Sequence, residues 1–307
     1  MTGDTLSLTV VICSRDRPEF LRDALSQIGE LRAGPGNAGP IQIVVVDSAS
    51  KGTETAAVAA EFGISAVRCD QPGLSRARNA GMRVATGEVV AFTDDDCHPT
   101  PDWIEQVRAG FADPLVGVVT GPVHPDRHTK RGVAIDDRDE DFAYEWGFNP
   151  AEAGHGANMS FRRSALQQVG DFDELLGAGS DLRSGEDVDM VWRVLRAGWE
   201  GRFESAAVIT HRQWRSTSEA VRMTYGSGLG AGAFAHKARK LQPDATYPLP
   251  AMKRSRQSLR NAIRCLREGY QTGAAAEVFF AWGVVRGSRS VRRLAIANDN
   301  FIHSARS

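Results

Sequence analysis

Cysteine is scarce in this chain of 307 residues, and Cys13, Cys69, Cys97 and Cys265 stand far apart with no Cys-x-x-Cys pair. That spacing argues against a disulfide framework or a zinc ribbon and fits reduced thiols in a cytoplasmic setting. Neither sign of charge dominates: 37 Lys and Arg face 38 Asp and Glu, for a formal net charge of −1. No global field therefore argues for nucleic acid as a partner. Apolar runs stay short of the roughly 18 residues of a membrane span. The first of them, Leu8 to Cys13, is too short and lacks the basic leader of a signal peptide. There is no repeat at a solenoid or propeller period. The glycine-rich run Gly226–Gly232 follows no strand, so it is not a dinucleotide fingerprint.

What is present is a globular composition, 42% hydrophobic and 24% charged, long enough for about two domains or one large one. Short runs rich in Val and Ile alternate with segments of helical period, a pattern that predicts βαβ units and a mostly parallel α/β sheet. Strands are expected at Leu8–Cys13, Ile41–Val46, Ala66–Arg68, Glu88–Thr93 and Val116–Thr120. Leu21, Leu25 and Ile28 mark one helical stripe and Trp103, Ile104, Val107 and Phe111 another. The Gly- and Pro-rich stretch Ala33–Pro40 reads as a loop. Past residue 122 the alternation fades into a loop-like Pro122–Pro150 region, whose acidic run Asp136–Asp141 reads as a solvated face. Val188, Val191, Trp192 and Leu195 mark a further helix, and after His211 the chain reads as helices to its end. The expected organisation is an α/β half over 1–122, a second half over 123–215 and a helical basic extension over 216–307.

In open α/β sheets ligands bind beyond the carboxyl ends of the strands. There this sequence is polar: Ser14, Arg15 and Asp16 follow the first strand, Asp47, Ser48 and Ser50 the second, and Asp94, Asp95 and Asp96 the fourth. Bunched carboxylates repel unless a cation relieves them, and oxygen-rich sites suit Mg²⁺ or Mn²⁺. The alternative is that they are turn and cap residues ahead of the Pro101 helix. Cys97 and His98 have no second Cys/His pair beside them to support zinc. In the segment GEDVDMVWRVLRAGW, helical spacing sets Asp187 beside the apolar stripe, facing protein or cleft. Asp189 faces Arg193 and Arg196, which predicts an ordinary surface ion pair.

SLTVVICSRDRP, IVVVDSAS, GLSRARNAG, ATGEVVAFTDDDCHPTPDW, GANMSFRRSAL, GDFDELLG and GEDVDMVWRVLRAGW occur in that order. Together they resemble a family 2 glycosyltransferase of GT-A fold, over about residues 7–215. The resemblance implies inverting transfer of a sugar from a nucleoside-diphosphate donor to a hydroxyl-bearing glycan or lipid-linked acceptor. It assigns the base and ribose to Asp47 and to Ser14 with Arg15 beside it. The nucleotide or its phosphates fall to Arg78, and the DxD pair to Asp94 and Asp96, with Asp95 between them at the donor. A third metal ligand falls on His211, which otherwise reads as a hydrogen-bonded histidine. The donor sugar or acceptor falls on Asn158, which otherwise reads as a turn-forming asparagine. Asp187 is implied as general base, with Glu186 assisting or orienting it. Many relatives have Pro-Thr-Tyr-Asn where this chain has Cys13-Ser14-Arg15-Asp16, so an Arg plane stands where an aromatic would stack. Two other classes compete: a sugar-1-phosphate nucleotidyltransferase, disfavoured because no Gly-rich triphosphate loop follows the first strand, and a non-catalytic module binding nucleotide sugar or membrane.

The charge is unevenly spread: residues 251–307 carry a net +8 and the rest −9. Leu259, Ala262, Ile263, Leu266 and Tyr270 form a stripe with Arg256, Arg260, Arg264 and Arg267 displaced from it. A basic amphipathic helix of this kind reads as binding an anionic membrane surface. Packing of the same stripe against the protein, or against a dimer partner, is the competing expectation.

Overall fold

The computed structural model describes residues 5–33, 39–127 and 135–302. The loop expected at Ala33–Pro40 lies mostly outside them. Two compact units emerge, one of residues 1–146, 152–171 and 191–213, the other of 147–151, 172–190 and 214–307. Each unit draws on separated stretches of the chain.

The first unit is built on an eight-stranded sheet. Strand β1 (Leu8–Ser14) is buried along its whole length, as the unbroken run LTVVICS requires of a strand covered on both sides. It pairs in parallel with β2 (Ile41–Ser48) on one side and β4 (Val89–Asp94) on the other. With β3 (Val67–Cys69), β6 (Val116–Thr120), β8 (Phe142–Tyr144), β9 (Met159–Arg162) and β10 (Glu200–Phe203), the order is β3-β2-β1-β4-β9-β6-β10-β8. Strand β9 has no counterpart among the expected strands; it lies antiparallel between β4 and β6. Leu21, Leu25 and Ile28 of α1 (Pro18–Ala33) and Trp103, Ile104 and Val107 of α4 (Trp103–Gly110) join β1 in one apolar core. Helices α2 (Glu54–Glu61), α3 (Leu74–Val84) and α5 (Arg163–Val169) complete this part of the chain. A small second sheet, in the order β5 (Cys97–Pro99), β11 (Ile209–His211), β7 (Val123–Pro125), stands directly after the carboxylates.

The second unit is helical. It holds the first turn of α6 (Glu186–Arg196), with α7 (Thr217–Leu241), α8 (Ala251–Arg267) and α9 (Gln271–Ser290). A capping box of Ser216 and Glu219 opens α7. The glycine run serves close packing. A Cβ on Gly228 would stand 2.3 Å from the Phe280 carbonyl oxygen and one on Gly283 2.3 Å from that of Tyr225, so the α7 and α9 backbones touch. Gly230 faces elsewhere: its Cβ would meet the Ser184 carbonyl oxygen at 2.0 Å, just ahead of Glu186. The chain does not stay helical to its end. Strands β12 (Ala295–Ala297) and β13 (Asn300–Ile302) pair antiparallel across Asn298 and Asp299, both in the left-handed region at φ 46° and 63°. Asn and Asp tolerate that conformation, which is what a two-residue hairpin turn demands.

Candidate active site

The parallel register sets Ser14 beside Asp47 and Cys13 beside Asp94 at adjacent strand ends. A turn then carries Asp95 and Asp96 into β5, and pairing of β5 with β11 sets His211 opposite Cys97. The Arg212 amide donates to the Asp96 carbonyl at 2.9 Å, stitching that strand end to the carboxylates. A loop distant in sequence is thereby fixed beside the DDD turn.

Asp95 and Asp96 are buried. Ser14 Oγ donates to Asp95 Oδ2 at 2.7 Å. The Arg17 guanidinium reaches both carboxylates, with Nη2 2.6 Å from Asp95 and Nη1 3.1 Å from Asp96. Burial nonetheless pushes the Asp95 carboxyl up to about 7; Arg17 opposes the shift, and the Asp96 and Asp94 charges add to it. The half-buried Arg17 thus does not fully offset the charge that burial and its acidic neighbours oppose on Asp95. His211 Nε2 lies 3.5 Å from Asp96 Oδ1, and its Nδ1 meets Gln213 Nε2 at 3.0 Å. Asp96, Cys97 and His211 each offer a ligand atom, all within 4.8 Å of one another. A carboxylate oxygen suits Mg²⁺ or Mn²⁺ and an imidazole nitrogen suits softer divalent ions, so the donor set fits a divalent cation. Burial and the Asp94 and Asp96 charges hold the Cys97 thiol well above its usual range, which keeps it protonated in the apo site.

Arg78 is not a surface residue: it is 2% exposed, its Nη2 lies 3.7 Å from Asp94 Oδ1, and it donates to the Gly156 carbonyl at 2.9 Å. Asp47 takes the Ser50 amide at 2.9 Å and Arg68 at 2.6 Å. Burial works against its charge, but the Ser50 hydrogen bonds and Arg68 outweigh it and hold its carboxyl below the usual range. Arg15 is exposed, 3.8 Å from Asp16. Asn158 is held by the protein's own hydrogen bonds. It is buried, with Nδ2 donating to the Pro122 and Ala207 carbonyls and Oδ1 accepting from Trp103 Nε1. Those bonds use both amide hydrogens, so the side chain ties loops together.

In the helical unit Asp187 is half-buried in the first turn of α6, its Oδ1 accepting from the Val188 amide at 2.8 Å, and Glu186 is buried. The surface ion pair expected of Asp189 is overturned. Asp189 is fully buried and lies 2.7 Å from Lys237 Nζ, which also reaches Asp173 at 2.8 Å. Asp173 accepts in turn from the Phe301 amide of β13 at 2.8 Å. Helical spacing sees neighbours one turn away, whereas Lys237 comes from α7.

Residues 9–170, more than half the chain, match the family described as glycosyl transferase family 2. The chain belongs to that family. It is 29% identical over 268 residues to the pre-mycofactocin glycosyltransferase of Mycobacterium tuberculosis, covering 79% of this chain and 49% of the relative. It is also 27% identical over 197 residues to the succinoglycan biosynthesis protein ExoM of Rhizobium meliloti, 62% of this chain and 61% of that one. The chain thus spans about half the length of the mycobacterial relative. Among solved structures it resembles the mannosyltransferase PcManGT of Pyrobaculum calidifontis in complex with GDP-Man and Mn²⁺, with TM-score 0.64, 18% identity and coverage of 93% and 88% of the two chains. It resembles S. aureus TarS in complex with UDP-GlcNAc at TM-score 0.55 and 14% identity, covering 96% of each. The fold is that of the GT-A glycosyltransferases.

Within that frame Arg17, Arg68, Gln213 and Lys237 are the residues that sequence reasoning misses. Only Arg17 leaves a trace, in the SRDRP segment beside Arg15.

Proposed function

We propose that this chain transfers a glycosyl group, with inversion, from a nucleoside-diphosphate sugar to a hydroxyl of a glycan or lipid-linked acceptor, assisted by Mg²⁺ or Mn²⁺. The observation that carries the reading is the convergence of Ser14, Asp47 and the Asp94–Asp96 turn at adjacent strand ends, with His211 beside Asp96. Asp47, with Ser14 and Arg15, holds the base and ribose, exchanging the Arg68 contact for the nucleotide. Arg78 directs positive charge toward the phosphates. Asp96, His211 and Asp94 hold the cation, which when bound supplies Lewis-acid neutralisation of the departing diphosphate. Arg17 lies within reach of the same charge. Asp187 is the general base: it stands in the first turn of α6, and inversion requires a carboxylate that takes the acceptor proton on the sugar face opposite the diphosphate. Glu186 orients it. The GDP-Man and UDP-GlcNAc complexes of the two neighbours support a nucleotide-sugar donor, and four free cysteines fit a reducing, cytoplasmic setting.

Calorimetric titration of GDP and UDP, with and without Mn²⁺, tests this reading on wild type and Asp96→Ala. Nucleotide affinity should rise with Mn²⁺ in wild type and lose that dependence in the variant. Equal affinities throughout would overturn the metal assignment. Release of nucleoside diphosphate supports transfer, whereas release of pyrophosphate would identify a nucleotidyltransferase.

A further inference from the structure

Helices α8 and α9 meet mainly through small residues, while most of their large apolar side chains are exposed. Helix α8 turns Ser255, Ser258 and Ala262 inward, and Ser255 Oγ and Ser258 Oγ donate to the carbonyls of Ala281 and Glu277 on α9 at 3.2 and 3.0 Å. Its apolar stripe points the other way: Met252 is 56% exposed, Ile263 52% and Leu266 59%, with Leu259 exposed between them. Helix α9 buries Gly and Ala positions such as Ala274, Ala281 and Gly283, with Val284 the one large apolar residue among its buried set, while Val278, Phe279 and Trp282 are exposed. Of the α8 stripe only Ala262 turns inward; Leu259, Ile263 and Leu266 are exposed.

Both stripes fall on one side. Ser255 meets Ala281 and Ser258 meets Glu277, so the two helices run antiparallel. Counting about 100° per residue from that seam carries Leu259, Ile263 and Leu266 on α8 and Val278 and Trp282 on α9 toward the same flank of the pair. The same rotation sets Arg256, Arg260 and Arg267 along the outer edge of the α8 stripe and Arg286 and Arg289 along α9, all exposed. Glu268 and Glu277, the acidic residues of this pair, fall away from that flank, and Glu277 is held by Ser258.

We infer that the α8–α9 pair docks in the plane of an anionic lipid surface, its apolar stripes sunk below the headgroups and its arginines paired with their phosphates. Charge selects this occupant. A second copy of the same face would bring two cationic rims together, whereas an anionic bilayer satisfies the rim and the stripes at once. No helix among the described residues is long and apolar enough to cross a membrane, which agrees with lying in the interface. The inference stands apart from the transfer chemistry, because it needs neither donor nor acceptor.

Vesicle co-sedimentation of the full chain tests it, with phosphatidylcholine vesicles with and without phosphatidylglycerol. Wild type should pellet with the anionic vesicles, weaken as salt rises and bind the neutral ones poorly. Arg256→Gln and Arg260→Gln should each lower partitioning about fivefold. The paired change Ile263→Asp and Leu266→Asp, at positions already in solvent, should abolish binding while circular dichroism and the nucleotide titration stay as in wild type. Absence of anionic-vesicle binding at low salt, or undiminished binding by the Ile263→Asp/Leu266→Asp protein, overturns the inference. So does a wild-type dimer in light scattering that this variant breaks, which would assign the face to a second copy.

Discussion

At the ends of β1 and β4, Asp94, Asp95 and Asp96 crowd together with the half-buried Arg17 reaching two of them, and the Asp95 carboxyl is raised to about 7. In the helical unit Asp173 and Asp189 flank Lys237, all three fully buried, with the Phe301 amide completing the cage. Both places gather aspartates, yet they use them differently. In the second, the cation is sealed in and touches both carboxylates, so nothing is left for a ligand. In the first, three carboxylates face the half-buried Arg17 and the buried Arg78, and the Asp95 carboxyl raised to about 7 marks charge that they do not fully offset, which a metal ion or a nucleotide-bound cation can exploit. Aspartates in a cluster are therefore not a site in themselves; the exchangeability of their counter-ion makes one.

The largest effect is expected two residues from Asp189 of the sealed cluster. Asp187→Asn keeps the shape of the side chain but cannot take the acceptor proton, and turnover should fall about 10²–10⁴-fold. Nucleotide affinity and thermal midpoint should match wild type. Near wild-type turnover in steady-state assays would remove Asp187 as base and make Glu186 the next choice.

Next in size is the removal of the sealed cation. Lys237→Met leaves two fully buried carboxylates without it and should cost about 3–5 kcal/mol in urea unfolding. Adding Asp173→Asn and Asp189→Asn should return much of that loss, because the three residues act as one unit. A single-variant loss below about 1 kcal/mol would show that the cluster is not sealed.

These contrasts also mark what a sequence can reveal. Strands β1, β2, β4 and β6 are legible because buried parallel strands are continuous apolar runs. The DDD turn is legible because three adjacent carboxylates at the end of a buried strand repel one another, a cost that a bound cation removes. Strand β9 is not legible, since MSFR is four residues long and takes its place only from neighbours far along the chain. Arg17 with Asp96, Arg68 with Asp47 and Lys237 with Asp189 are tertiary pairings that no local period encodes. On α8 the expected period holds, but a period says that a helix has two faces and not which one meets the protein.

A third, smaller effect tests the surplus charge through pH. A carboxyl whose value is raised in the folded state binds its proton more tightly there. The stability it lends is therefore fully present below the unfolded value of about 3.9 and is lost as pH rises through about 7. In chelator, wild type should lose up to a few kcal/mol across that window, and Asp95→Asn should flatten the slope. A slope unchanged by Asp95→Asn would show that the charge of Asp95 is already matched.

The smallest effect follows from Arg17, the open counterpart of Lys237. Arg17→Met should cost about 1–3 kcal/mol in chelator, less than Lys237→Met, because Asp95 can take a proton in place of its partner and the side chain is half-buried. Saturating Mn²⁺ should then close the gap to within ~0.5 kcal/mol of wild type, since an ion that binds only the folded state stabilises it by mass action and does so most where no guanidinium competes. Urea midpoints with and without Mn²⁺ decide the matter. Equal Mn²⁺ stabilisation of both proteins would mean that the ion and the guanidinium do not share a position, while a loss as deep as that of Lys237→Met, unrelieved by metal, would mean that Arg17 is as fixed as the lysine. Only relief by the ion distinguishes a counter-ion held in reserve from one built into the fold.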